Sequence, residues 1–380
     1  MSQTSDTAVI AIAYRYEWLR HALFVMPLRM HYAGDIILGT EPVEQMDPDI
    51  RELGRQQRVT FAPIRHKCAA KAGGVADYYD RKTGKTIKSM NDVSDGCGFH
   101  GWLMLIRFQL YADACRPYAR CLAMDFRDVI FQADPFAELA RLNEAKQDKS
   151  ASDLVLVCED SSKQVGASYF NRVWIRQCIG QEFYHRVASS RCIVNSGSIM
   201  GTPAAFDRAA VLMATPCVDV NMTTGSDQAK ILWAYRDRQF GNLSVEAQTR
   251  GRGVVNTMRY ALGGMAKLKV IRTLPQSEVR WPKVMPFTVY NDDNATVSSV
   301  VHQYDAADML ADSIPSLPRL NLMVEMAALS WLASCGKPAN RSKVNERFED
   351  MLFEYYRLHR TWYRQHLHTR SRLPDVVACE

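Results

Sequence analysis

The sequence predicts an α/β protein: a mixed, mostly parallel sheet flanked by helices, with a helical appendage at the C-terminal end. Three observations predict it. Short apolar or β-branched runs recur along the chain with helix-period segments between them, the arrangement that gives parallel strands joined by crossover helices. At 380 residues, 47% hydrophobic and 23% charged, the chain can bury a large core. Strand-like runs stop near residue 306, which divides the chain into a sheet-based domain, 1–306, and a helical extension, 307–380.

In chain order, residues 8–13 (AVIAIA) read as a buried first strand, and 16–31 as a helix with Leu19, Leu23, Met26 and Met30 on one face. Residues 35–39 (DIILG) form a second strand. A weaker third, 58–62, follows a short helix around 50–53. The segment 64–98 is rich in Lys, Gly, Asp and Ser without a steady period, so it reads as a long excursion from the core. A helix over 99–115 leads into the buried strand 121–124, which ends in acidic residues. Further strands are expected at 153–157 and 192–196, with a helix near 168–187 between them, then a helix over 227–235 and a late strand at 298–301. Two closing helices, near 319–334 and 342–368, would cover one face of the sheet domain.

Net charge is +6, too small and too dispersed to point to nucleic acid and better suited to a phosphorylated small molecule. The one basic concentration runs through Arg357, Arg360, Arg364, Arg370 and Arg372, beside Tyr355, Tyr356, Trp362 and Tyr363. It reads as a solvated amphipathic helix, with peripheral membrane contact as the alternative. Ten cysteines include no C-x-x-C pair, which removes zinc-ribbon and thioredoxin readings. Cys121, Cys158 and Cys192 lie in apolar runs, where a thiol packs as a small hydrophobe, so reduced cysteines are expected. No stretch reaches the roughly 20 apolar residues that cross a bilayer. A complete chain would therefore be cytoplasmic, and one that has lost an N-terminal anchor would suit the Golgi lumen, where sequons at Asn221, Asn242, Asn294 and Asn340 could be used.

In open sheets, ligands bind beyond the carboxyl ends of the strands, so acidic residues there come first. Asp125 and Asp128 follow a buried strand at once, and carboxylates so placed could hold Mg²⁺ or Mn²⁺ against a diphosphate; an exposed turn with Asp128 paired to Arg127 would give the same string. His302 leaves an apolar run where the late strand ends, either as a metal ligand or as a hydrogen-bonded structural residue. The small residues of 195–201 (NSGSIMG) let backbone approach a ligand, or simply turn tightly. Asp227 and Gln228 open a helix, where a capping role for Ser226 or Asp227 is the plain alternative.

The order and spacing of these segments carry more than any one of them. DFRDVIFQADPF (125–136), NSGSIMG (195–201), SDQ (226–228) and VVHQYD (300–305) together resemble GT-A glycosyltransferases, over about residues 8–305. That resemblance implies a metal-assisted transfer of sugar from a nucleotide sugar, a UDP-sugar by preference, with Mn²⁺ or Mg²⁺ at a D-x-D-type motif. It implies Asp125, Asp128 and His302 as metal ligands; Tyr14, Arg15, Arg107, Asp125, Arg127, Asn195 and Gly197 around the donor; and Asp227 and Gln228 near the acceptor. Glu159 and Asp160, which follow the strand at 153–157, are alternatives for orienting the acceptor or taking its proton. The partners implied are a nucleotide sugar and a glycan or glycoprotein acceptor, and similarity to retaining families favours retention.

One departure stands out. The second acid of the motif usually lies two residues after the first, where this chain has Arg127. The pattern is similar to uncharacterised transferases carrying D-x-R-D before F-Q-x-D-P-F, and Arg127 could itself grip a diphosphate. A non-catalytic carbohydrate- or protein-binding module on the same fold is the rival in another class. A sugar nucleotidyltransferase is disfavoured because no glycine-rich loop follows the first strand; the first glycine is Gly34.

Overall fold

The computed structural model describes residues 5–64, 78–80, 85–87, 102–146, 151–159, 162–219, 225–259, 261–307 and 319–335. Its strands are β1 (Thr7–Ile12), β2 (Asp35–Thr40), β3 (Val59–Pro63), β4 (Tyr78–Asp80), β5 (Lys85–Ile87), β6 (Arg120–Met124), β7 (Val129–Phe131), β8 (Leu154–Cys158), β9 (Val194–Gly201), β10 (Val245–Thr249), β11 (Val255–Thr257), β12 (Ile271–Thr273), β13 (Phe287–Val289) and β14 (Val300–His302). The helices are α1 (Trp18–His31), α2 (Pro48–Gln56), α3 (Trp102–Cys115), α4 (Pro135–Glu144), α5 (Tyr169–Cys178), α6 (Gln181–Val187), α7 (Pro203–Ala214), α8 (Ser226–Arg236), α9 (Leu262–Leu268) and α10 (Leu320–Cys335).

Seven strands form the central sheet in the order β10-β8-β9-β6-β1-β2-β3. All neighbours run parallel except β9, which is antiparallel to both β6 and β8. Period-2 alternation sends side chains to both faces, and both are covered. Ala8, Ile10 and Ile12 of β1 join Phe108, Phe206 and Leu232 from α3, α7 and α8 in one core, while Val9 and Ala11 join Phe24, Val25 and Leu28 of α1 in another. A mixed, mostly parallel sheet between helices is thus the observed class.

A smaller sheet, β11-β14-β7, stands beside the first, with β14 parallel to β11 and antiparallel to β7. Its far side packs on a third core containing Ile130, Val301, Met265, Leu320 and Val324. Helix α10 is pinned there by Arg20 of α1, whose guanidinium lies 2.5 Å from Glu325. The expected closing helix is therefore present and seated on α1; the second, basic one falls outside the described residues.

Several expectations need correction. Residues 195–201 are not a turn but the buried length of β9, flanked by β6 and β8. Small residues suit a strand hemmed in on both faces, and periodicity could not separate that from a loop. The helix expected at 168–187 breaks into α5 and α6 at Gly180, whose φ is +113°. Helix α1 is buried almost all round rather than along one stripe: Ala22, Phe24, Val25 and Leu28 are as buried as Leu19, whereas Met30 is exposed. Within the expected excursion 64–98, β4 and β5 pair antiparallel, and most of the remainder lies outside the described residues.

The reduced-cysteine expectation also fails. Cys115–Cys121, Cys158–Cys192 and Cys178–Cys217 are disulfide-bonded, with Cα separations of 5.9, 4.9 and 4.1 Å. Tertiary approach decides this: the end of α3 meets the start of β6, and the end of β8 meets the segment before β9. None of the described helices is long and apolar enough to cross a membrane.

Candidate active site

The parallel strands β1, β6 and β8 all end at one edge of the central sheet, so Tyr14, Asp125 and Glu159 emerge together there, as expected of ligand-binding residues. Asp125 is the first residue beyond β6, and its N–H donates to the Gly197 carbonyl at 2.7 Å. Phe126 then turns inward as an anchor, buried against Tyr16, His21 and Phe24 with ring centroids 5.3, 4.9 and 4.9 Å away. With that ring fixed, the chain returns through Asp128 into β7.

Pairing of β7 with β14 sets His302 opposite Val129, and Gln303 N–H donates to the Asp128 carbonyl at 2.7 Å. Two segments 177 residues apart are brought together this way. His302 Nε2 lies 3.3 Å from Asp125 Oδ2 and 3.9 Å from Asp128 Oδ1, and one ligand atom from each of the three lies within 4.8 Å of the others. Donor atoms of one octahedral shell, with bonds of about 2.1–2.3 Å, stand about 3 to 4.5 Å apart, so this spacing fits a divalent cation. Two carboxylate oxygens and an imidazole nitrogen are a donor set for Mn²⁺ or Mg²⁺ rather than for a thiophilic metal.

Charge supports the same reading. Arg107 of α3 donates through Nη1 to Asp125 Oδ1 and through Nη2 to Asp227 Oδ2, both at 2.6 Å, and also to the Ser196 carbonyl at 3.0 Å. One guanidinium therefore serves two carboxylates. Among the described residues, the cationic groups near Asp128, which is 8% exposed, are the His302 imidazole at 3.9 Å and the Arg127 guanidinium at 4.0 Å. Burial pushes its carboxyl up to about 6 against the opposing pull of His302, and the Asp125 charge adds to the rise. Burial acts on Asp125 too, but Arg107 and His302 outweigh it and hold that carboxyl well below the usual carboxylate range. His302 itself, fully buried, would lose its proton easily but for Asp125 and Asp128, which raise its pKa above the ordinary value.

A second cluster lies behind β9. Glu159, 2% exposed, accepts from Asn195 Nδ2 at 3.0 Å and Gln228 Nε2 at 3.2 Å through Oε1, while Oε2 has no hydrogen-bond partner among the described residues. Burial pushes this carboxyl up to about 7. Gln228 also donates to Asn171 Oδ1 at 2.9 Å, and Asn195 Oδ1 accepts from Gly197 N–H at 2.7 Å. The two clusters thus share the Asn195–Gly197 segment. Where β8 skips from Leu156 to Val157, its partner on β9 jumps from Ile199 to Asn195, which releases residues 196–198 from β8 and toward the site.

Each expected residue now has a place. Asp125, Asp128 and His302 converge, and the exposed-turn reading of Asp128 fails. Asp227 is not a cap: Gly225 precedes α8 with φ +73°, and Asp227 is buried in the Arg107 pair with Ser196 Oγ 2.9 Å away. Gly197 needs its missing side chain because a Cβ there would stand 2.2 Å from Asp125 Oδ2 and 2.7 Å from His302 Cε1; protein, rather than ligand, fills that space. Both terminal guanidinium nitrogens of Arg107, and the amide nitrogen and oxygen of Asn195, are engaged by neighbouring side chains and backbone. Arg127 turns outward to Asp305 Oδ2 at 3.0 Å, half exposed. Arg15 is exposed, with φ +58° and its N–H on Glu41 at 2.7 Å, and Tyr14 lies beneath its guanidinium; neither has a described contact with the metal-ligand group. Asp160 lies outside the described residues. Asn171 and Ser196 were not singled out by the sequence reading. Ser196 sat inside a noted string, but nothing in the spacing of α5 marks Asn171.

No family model and no curated protein sequence matches the chain. Among solved structures it is similar to the glycosyltransferase GlyE of Streptococcus pneumoniae TIGR4, at TM-scores of 0.34 and, for an apo form, 0.37, with 12% identity in both. The matches cover 79% and 78% of this chain, which spans 54% of the length of each of those chains. A superposition that loose carries neither fold class nor chemistry, which rest on the strand order and the site.

Cation binding needs His302 neutral and Asp128 ionised, so protons compete with metal. Isothermal titration is expected to show Mn²⁺ affinity at least ~10-fold weaker near pH 5.5 than near pH 7.5, because falling pH protonates Asp128 and His302; equal affinities would contradict the assignment. Gly197→Ala should displace Asp125 and weaken Mn²⁺ binding by more than ~10-fold with the far-ultraviolet circular dichroism unchanged, and wild-type affinity in that variant would refute the packing argument.

Proposed function

We propose that this protein is a glycosyltransferase that moves a sugar from a nucleoside diphosphate sugar, a UDP-sugar by preference, to a hydroxyl of a glycan or glycoprotein acceptor. The observation that supports it is the convergence of Asp125, Asp128 and His302 at the edge of a mostly parallel sheet. In such a transfer the bond from the anomeric carbon to the diphosphate oxygen breaks while the acceptor oxygen bonds to that carbon. Positive charge develops on the sugar and negative charge on the departing diphosphate. Mn²⁺ or Mg²⁺ held by the three ligands would supply Lewis-acid stabilisation of the leaving group.

The chain's own residues divide the remaining work. Arg107 keeps the Asp125 carboxylate ionised and aimed, and through Asp227 fixes the start of α8. Arg127, half exposed beside Asp128 and paired with Asp305, is a guanidinium that could exchange that partner for a phosphate oxygen. Glu159, its carboxyl pushed up to about 7 by burial, has one oxygen held by two amides and the other without a hydrogen-bond partner among the described residues, so it can accept from or donate to a substrate hydroxyl. We assign it to orienting the acceptor or the donor sugar, with Gln228 and Asn195 as its supports. Retention of anomeric configuration is the expected outcome.

The test is donor hydrolysis across a panel of nucleotide sugars, with and without Mn²⁺. Metal-dependent release of nucleoside diphosphate is expected, and Asp125→Ala and His302→Ala should each lower it at least ~100-fold in folded protein. Turnover at wild-type rates in both variants would contradict the site. Pyrophosphate release from a nucleoside triphosphate and a sugar phosphate would instead mark a nucleotidyltransferase, and no binding across the panel a non-catalytic module.

A further inference from the structure

The first turn of α5 carries an aromatic surface that the reaction as described does not use. Tyr169 and Phe170 are 63% and 44% exposed, the only consecutive pair among the large hydrophobic side chains exposed in the described residues. Their rings stand edge to face at 5.5 Å, and Phe170 lies 5.6 Å from Trp174, tilted by 30°. The Arg172 guanidinium sits 5.6 Å above the Tyr169 ring. Solvating so much aromatic face is unfavourable, and a polar-rimmed patch of this kind marks a binding surface.

Its position is tied to the site through two contacts. Asn171, the residue after Phe170, is 1% exposed and accepts from Gln228, which donates in turn to Glu159. Trp174 presses on Gly225, where a Cβ would stand 2.1 Å from the indole, and Gly225 is followed directly by Ser226, Asp227 and Gln228. The turn that carries the aromatic pair is therefore tied to the Glu159 cluster through Asn171 and, by way of Gly225, through Trp174.

We propose that Tyr169, Phe170 and Trp174 form an acceptor subsite for a carbohydrate chain, stacking a pyranose ring one or more residues removed from the reacting hydroxyl. The assignment rests on the glycosyl-transfer reading and names its acceptor class. Aromatic faces carry partial negative charge, and the C–H bonds on the less substituted face of a pyranose carry partial positive charge; the two stack while ring-edge hydroxyls stay in water. Arg172 stands beside the platform as a donor to such hydroxyls. A polypeptide acceptor would call for backbone donors and acceptors along the surface, whereas this turn offers its aromatic faces and one guanidinium.

The experiment compares wild type with the surface double variant Tyr169→Ala/Phe170→Ala and with the conservative Tyr169→Phe. Saturation-transfer NMR measures binding of maltotetraose, cellotetraose and chitotetraose, and donor hydrolysis with Mn²⁺ is followed in parallel. At least one tetraose should bind wild type and Tyr169→Phe alike and bind the double variant at least about tenfold more weakly, with donor hydrolysis within about twofold of wild type. The proposal is overturned if no tetraose binds wild type, or if the double variant binds as well as wild type. It is also overturned if the variant instead loses only a peptide acceptor or dissolves a dimer of the chain. Absence of donor hydrolysis in wild type, with tetraose binding still lost in the variant, would sink the transferase reading and leave the carbohydrate platform standing.

Discussion

Asp125 occupies the point where this structure balances its charges. Removing a carboxylate from water costs several kcal/mol unless strong partners replace the lost hydration. Arg107 supplies one at 2.6 Å, and His302 faces the other oxygen at 3.3 Å. The same guanidinium holds Asp227, so a single cation from α3 ties the end of β6 to the start of α8. Burial pushes the neighbouring Asp128 carboxyl up to about 6, against the pull of His302 and with the Asp125 charge adding to the rise. Two carboxylates and an imidazole facing one another, with one guanidinium already committed, leave room for a further positive charge.

The two sheets exist, in functional terms, to make that meeting happen. The central sheet delivers Asp125 and Glu159 to one edge and threads β9 between them, so that Gly197 meets Asp125 while Asn195 holds Glu159. The small sheet turns the chain back after Asp128 and returns His302 alongside it, 177 residues later. Gly197 is the hinge of this geometry, because a larger residue would occupy the volume that Asp125 and His302 fill.

Much of this was legible before any coordinates. The apolar runs of β1, β2, β6 and β8 are short and bounded by polar residues, three of them rich in β-branched side chains, and each was placed within a residue or two. The acids at 125 and 128 stood out because a buried strand ends there. Less visible were elements whose identity depends on tertiary neighbours: a strand was expected only over 192–196, and its continuation to Gly201 reads as a turn until β6 and β8 flank it, while the disulfides depend on which cysteines the fold brings together. Asp227 looked like a cap because helix starts favour acids, but only a distant arginine could show that its carboxylate is buried and paired. The glycosyltransferase resemblance pointed to Asp125, Asp128 and His302, which the fold brings together, while the side-chain partners of Arg107 and Asn195 could not be read from it.

The central claim is that Asp125, Asp128 and His302 share one divalent cation beneath a diphosphate. Crystals grown with Mn²⁺ and UDP, with diffraction recorded at the manganese absorption edge, test it directly. The account predicts a single anomalous peak about 2.1–2.3 Å from Asp125 Oδ2, Asp128 Oδ1 and His302 Nε2, with diphosphate oxygens completing the shell. A peak elsewhere, or His302 turned away from the ion with UDP bound, would contradict it.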